Sequence, residues 1–198
     1  MPTSKTKQPS PLRRGFKADA ERIALEYRQL LGLKKHDPLP AQQLADHLHV
    51  RILVPSEIPG ITLDVLDPLL IKGKDCWSAA IYLRNEKKYI IHNPTHAPCR
   101  QESNLMHELA HAHCNHPIGD LETAVAACML PLRKIDDEHE AEAECLGACL
   151  QLPKEALFHY HNILKKTTAE ISRMFNACKP MVEFRLRMSG VLKIGSWK

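Results

Sequence analysis

The sequence predicts an α+β fold: a small mixed or antiparallel sheet, a central helix carrying a histidine motif, and a helical C-terminal portion. Three observations predict it. Residues 50–54, 77–83 and 88–92 are rich in β-branched and aromatic types and lie between turn formers. Residues 98–114 and 136–153 have helical spacing, with proline only at their ends. Beyond Pro153 the apolar positions fall into short helical runs.

The elements follow in order. Residues 1–13 are Lys/Ser/Pro-rich and predict a disordered basic tail. Residues 16–31 predict an amphipathic helix with Ala20, Ile23, Ala24, Tyr27, Leu30 and Leu31 on its apolar side and Gly32 as its stop. A short helix over 41–48 precedes a strand over 50–54 that ends at Pro55, and 61–66 predicts a further extended piece. The segments 77–83 and 88–92 flank Arg84-Asn85-Glu86-Lys87 and read as a hairpin. The later helices are expected over 154–164, 167–175 and 180–188. This divides the chain into the tail, a core over 14–153, and a C-terminal helical extension over 154–198 packed on it.

The chemistry is concentrated in His107-Glu108-Leu109-Ala110-His111. Two histidines four apart fall on one face of a helix, where both imidazoles can reach one metal ion. Glu108 projects from the adjoining surface and can accept a proton from water that the metal activates, without being a ligand. The pattern His-Glu-x-x-His is the signature of zinc metallopeptidases, so Zn²⁺ is the expected cofactor and Glu108 the expected catalytic base. Pro98 suits a first helical turn, and Asn115 and Pro117 offer a stop. Leu105, Leu109 and Ala112 form an apolar stripe opposite the histidines. Cys114 reads as packing, and His113 and His116 as solvent-facing or helix-end residues.

A catalytic zinc takes three protein ligands and keeps one position open. The third is expected from 136–153, whose first turn is acidic, as the helix dipole favours. That helix is apolar nearly all round apart from one stripe, Glu140, Glu144 and Gln151 with Gly147 between them, while Glu142 lies on another side.

These segments resemble the ImmA/IrrE family of metallo-endopeptidases, found in bacteria and their phages. The resemblance runs from about Arg14 to Gly190. It includes Leu44-Ala-Asp-His-Leu-His-Val-Arg-Ile-Leu-Val-Pro55, Trp77-Ser-Ala-Ala-Ile81, Ile90-Ile-His-Asn-Pro94, the His107–His111 motif, and Glu140-Ala-Glu-Ala143 leading to Leu146-Gly-Ala-Cys-Leu-Gln-Leu-Pro153. It implies a zincin-like fold and a metal set of His107, His111 and Glu140, with Glu138 and Glu144 open because the acidic cluster lets the register slide. The family usually has Asn where Glu144 stands and Phe-Ala where Leu146-Gly147 stands. In zinc peptidases similar to this chain a strand beside the metal receives substrate along its edge, here residues 77–81. Family resemblance also implies the substrate, a helix-turn-helix transcriptional repressor of a mobile element or stress response. The oxyanion stabiliser is unassigned among His92, His113, His139 and Tyr160.

The rival reading is a regulatory protein that binds a repressor or DNA without hydrolysis. A DNA-reading role for the C-terminal helices would use Arg185, Arg187 and Lys193. Net charge is +4 over 198 residues, too modest to compel a nucleic-acid partner. No apolar run approaches the ~20 residues of a membrane span, and the first residues lack the apolar core of a secretory signal. The seven cysteines form no Cys-x-x-Cys pair and read as reduced residues of a cytoplasmic protein. Oligomeric state is left open.

Overall fold

The computed structural model describes residues 12–58, 60–126 and 136–194. Helix α1 (Phe16–Leu30) buries Phe16, Ala20, Ala24 and Tyr27, the spacing of one helical face. Helix α2 (Ala41–His47) buries Ala41, Leu44 and Ala45, and β1 (Val50–Leu53) follows. Residues expected to be extended after β1 instead form a short helix, α3 (Leu63–Asp67), that runs on into a wider turn over Pro68–Lys72. Its sequence alternates poorly, and Leu69, Val65 and Leu70 pack together over the sheet rather than pairing within it.

Strands β2 (Ala79–Arg84) and β3 (Lys87–His92) form the expected hairpin. Asn85 and Glu86 both take positive φ, 48° and 60°, the turn whose twist suits two antiparallel strands. β1 lies parallel to β3, with Ile52 beside Ile90, and the two residues of β4 (Gly119–Asp120) lie parallel to β2 beside Tyr82 and Leu83. The sheet is therefore mixed, in the order β1-β3-β2-β4.

The sheet is covered on both faces. Val50, Ile81 and Ile90 meet α4 (Pro98–Cys114), α1 and α6 (Asp137–Gln151) in the main core. On the other face Tyr82 and Ile91 meet Ile58, Leu69 and α5 (Leu121–Ala126). Helix α6 lies between α1 and α4 and buries nearly its whole surface below its first turn. No helix among the described residues is long and apolar enough to cross a membrane.

After Pro153 come α7 (Lys154–Leu157), which widens over Phe158–Ile163, then α8 (Thr168–Met174), α9 (Lys179–Met188) and α10 (Val191–Ile194). Thr167 and Glu170 cap each other's backbone at the start of α8. Leu152, Leu157, Ile171, Phe175, Val182, Leu186 and Val191 form a separate small core. Two buried arginines tie this unit and α1 to the end of α6. Arg28 is wholly buried and donates to the carbonyls of Ala24, Asp37 and Leu150. Burial lowers its pKa to about 10, which still leaves it charged at neutral pH. Arg185 donates to Leu152 O and to Glu21. Both satisfy carbonyls at a helix C-terminus, where cations are favoured. Arg185 is thus an internal strut, which removes it from the residues that the rival DNA-reading role would use.

Two further expectations change. Residues 1–11 lie outside the described residues, but Arg13, assigned to the tail, pairs with Asp19 and Glu142 and lies over the Phe16 ring. Cys99 and Cys178 are joined in a disulfide, so not every cysteine is reduced as expected; Cys128 lies outside the described residues. The bond links the first turn of α4 to the residue preceding α9, across 79 positions of sequence. Nothing in cysteine spacing signalled it, because the two residues meet only through tertiary packing. Closing so long a loop restricts the unfolded chain, and the expected loss on reduction is about 4 kcal/mol. Urea unfolding with and without reductant measures this. A midpoint that does not move would show the bond to be absent in solution.

Candidate metal centre

Helix α4 begins with Pro98 at its first position and ends at Asn115, whose φ of 54° turns the chain out of the helix. Lys88 on β3 donates to Ala112 O near that end. Between these limits His107 and His111 stand one turn apart, with their Nε2 atoms 3.1 Å from each other. Glu140 comes from the first turn of α6. Its Oε2 is 3.3 Å from His107 Nε2 and its Oε1 is 3.5 Å from His111 Nε2.

Those three separations test the metal. A tetrahedral zinc with arms of about 2.0–2.1 Å has ligand–ligand edges of about 3.3–3.4 Å. Two imidazole nitrogens and one carboxylate at 3.1, 3.3 and 3.5 Å fit one triangular face of such a polyhedron. The donor set, two nitrogens and one oxygen, also suits zinc with a fourth position left over. Of the other acidic candidates, Glu138 and Glu144 are exposed, and neither joins the group formed by His107, His111 and Glu140. Glu144 lines a different cavity, with Lys17, Glu21 and Arg185.

Burial differs within the group. His111 is fully enclosed, while the side chains of His107 and Glu140 keep 30% and 31% of their surface exposed. The histidine face of α4 is therefore open at His107 and closed at His111, because α6 and the sheet flank the helix. Leu105, Leu109 and Ala112 are buried as their stripe predicts.

Glu108 is 7% exposed and accepts a hydrogen bond from Ile81 N, 3.0 Å from its Oε2. The strand alternation explains why that amide is available. Ser78 O accepts from Asn93 N, so even-numbered residues of β2 bond to β3 and Ile81 faces the other edge. β4 pairs with that edge only at Tyr82 and Leu83. Ala79 to Ile81 lie beyond it, beside Glu108.

Helix α6 can approach this closely because of Gly147. A Cβ there would stand 3.0 Å from His107 N, His107 Cα and Met106 O. All three are backbone atoms of α4, so the contact sets the distance between the two helices at the first histidine. Gln151, one turn further along α6, accepts from Ser103 Oγ and donates to Asn176 O.

Cys114 packs against the main core as expected, whereas His116, read as solvent-facing or helix-end, is buried. His116 follows the Asn115 turn and folds back beneath His111, with Nδ1 2.8 Å from His111 Nδ1. Its Nε2 is 3.2 Å from Glu142 Oε2. Cys114, His116 and Glu142 form a second cluster of potential ligands. Burial, then the charge of Glu142, pushes the Cys114 thiol up to about 11, so it is protonated at neutral pH. The signal for His116 was Asn115, a residue that tolerates positive φ immediately after the helix.

The four residues considered for an oxyanion role are dispersed. His113 meets Tyr27 of α1, and burial lowers its pKa. His139 stacks on His116. Tyr160 packs on Phe175 in the C-terminal core, and His92 sits opposite Ala79 in the sheet.

A family model described as Peptidase_M78, IrrE N-terminal-like domain, matches residues 72–187. The curated proteins contain no match to the chain.

Proposed function

Because the chain belongs to the IrrE N-terminal-like peptidase family, a metallopeptidase type, we propose that it is a zinc-dependent endopeptidase with a zincin-like fold. The observation that carries this is the triangle of His107, His111 and Glu140 beside a buried carboxylate on the same helix. His107, His111 and Glu140 would hold the ion. When bound, Zn²⁺ polarises the scissile carbonyl and lowers the pKa of the attacking water toward ~7.

Glu108 accepts the water's proton and returns it to the leaving amine. The Ile81 amide holds Glu108 Oε2 and so fixes the plane of the carboxylate relative to the strand. The edge of β2 from Ala79 to Ile81 gives an extended substrate main chain a place to align, with the base already attached to it. The substrate class we favour, on family resemblance, is a helix-turn-helix repressor of a mobile element or stress response.

Purified protein incubated with a candidate repressor, with and without a chelator, tests the reading on a gel. Fragments that disappear on chelation are expected. A stable complex with both partners intact would instead make the protein a non-hydrolytic binder.

A further inference from the structure

The His111 ring is held from both ends. Its Nε2 faces Glu140 and His107, while its Nδ1 faces His116. On the reading of His107, His111 and Glu140 as a metal site, we propose that His116 and Glu142 are positioning residues that fix the tautomer and orientation of His111.

The positions of the ring hydrogens require it. A metal-binding Nε2 presents a lone pair, so a neutral His111 carries its hydrogen on Nδ1. That N–H points at His116 Nδ1, 2.8 Å away, which must therefore accept. His116 in turn carries its own hydrogen on Nε2, the atom 3.2 Å from Glu142 Oε2. The Glu142 carboxylate accepts it. Arg13 Nε donates to the other carboxylate oxygen at 3.0 Å and holds that side chain in place. From His111 outward to Glu142 each direction is forced by the one before it.

Two carboxylates of α6 thus act on one imidazole. Glu140 reaches it at the metal face, and Glu142, two residues on, reaches it through His116. Residues two apart on a helix point about 200° away from each other, so no direct contact could let both act on His111. The Asn115 turn supplies the missing connection by folding His116 back under the helix.

The His116 tautomer also constrains the second cluster. Cys114, His116 and Glu142 bring their ligand atoms within 4.8 Å of one another, near enough for a cation. A cation on His116 Nε2 would force the His116 hydrogen onto Nδ1. It would then face the His111 N–H across 2.8 Å, with two donors and no acceptor. The two clusters therefore do not hold cations together in this geometry, and one zinc is expected at the described residues.

Zinc affinity by chelator competition, with long-range ¹⁵N–¹H spectra of the histidine rings in the zinc-loaded protein, tests this. His116→Phe removes the acceptor and is expected to weaken zinc binding by roughly 10- to 100-fold. His116→Asn returns a carbonyl oxygen near the Nδ1 position and should recover most of that loss. Cys114→Ser should change neither affinity nor stoichiometry. The wild-type spectra should show His111 protonated at Nδ1 and His116 at Nε2, a result that needs no variant to fold. His116 protonated at Nδ1, unchanged affinity in a folded His116→Phe, or a second zinc lost on Cys114→Ser would each overturn the positioning role while leaving the metal site standing. A wild-type protein that takes up no zinc would overturn the metal site and the positioning role with it.

Discussion

Glu108→Gln is expected to keep the metal and lose peptide hydrolysis. The amide preserves the shape of the side chain, and its oxygen can still accept from Ile81 N, so the strand contact survives. What it lacks is a basic oxygen to take a proton. General-base catalysis contributes about 10²–10⁴-fold, and the variant's rate should fall by at least that much. Neither His107 nor His111 is altered, so metal content by atomic absorption should match that of the unmodified protein. Full cleavage of the substrate by a metal-loaded Glu108→Gln protein would remove Glu108 from the role of base.

Glu140→Ala, by contrast, should lose the metal, while Glu144→Ala should retain it. Glu140 places two oxygens within 3.5 Å of the two imidazole Nε2 atoms, and the truncated side chain leaves two neutral nitrogens to hold a divalent cation. Glu144 sits one turn further along α6, exposed and turned toward Lys17, Glu21 and Arg185. Metal content after dialysis against a weak chelator separates the two variants. Retention in Glu140→Ala together with loss in Glu144→Ala would move the third ligand along the helix by one turn.

Much of the frame was legible in the sequence, and the reasons are local. Pro98 and Asn115 bracket α4, Asn85-Glu86 sits between two β-rich runs, and Pro153 stops α6. Each signal acts within a few residues and needs no knowledge of the rest of the chain. The His107, Glu108 and His111 cluster was legible for the same reason, since helix geometry alone puts the three side chains on neighbouring parts of one surface. What stayed hidden depends on the meeting of distant segments. His116 looked like a helix-end residue because its partner Glu142 lies 26 positions away. Arg185 looked like a surface cation because its acceptors, Leu152 O and Glu21, come from two other helices. The helix α3 was missed because its apolar residues answer to the outer face of a sheet rather than to their own periodicity. Glu140 was singled out from Glu138 and Glu144 by the resemblance alone; the crossing of α6 over α4, which sets it beside the two imidazoles, is contained in no single-helix pattern.

That crossing is set where Gly147 lies against the main chain of His107. Around it Met106, Leu109 and Ala110 pack with Ala143, Leu146 and Leu150, all of them enclosed. The spacing between the two helices is therefore a property of apolar packing and main-chain contact, settled when the chain folds. In small domains whose cation does the assembling, stripping it unravels the chain. Here a chelator should leave the protein folded, because the helices meet through enclosed apolar side chains and main-chain contact rather than through a cation.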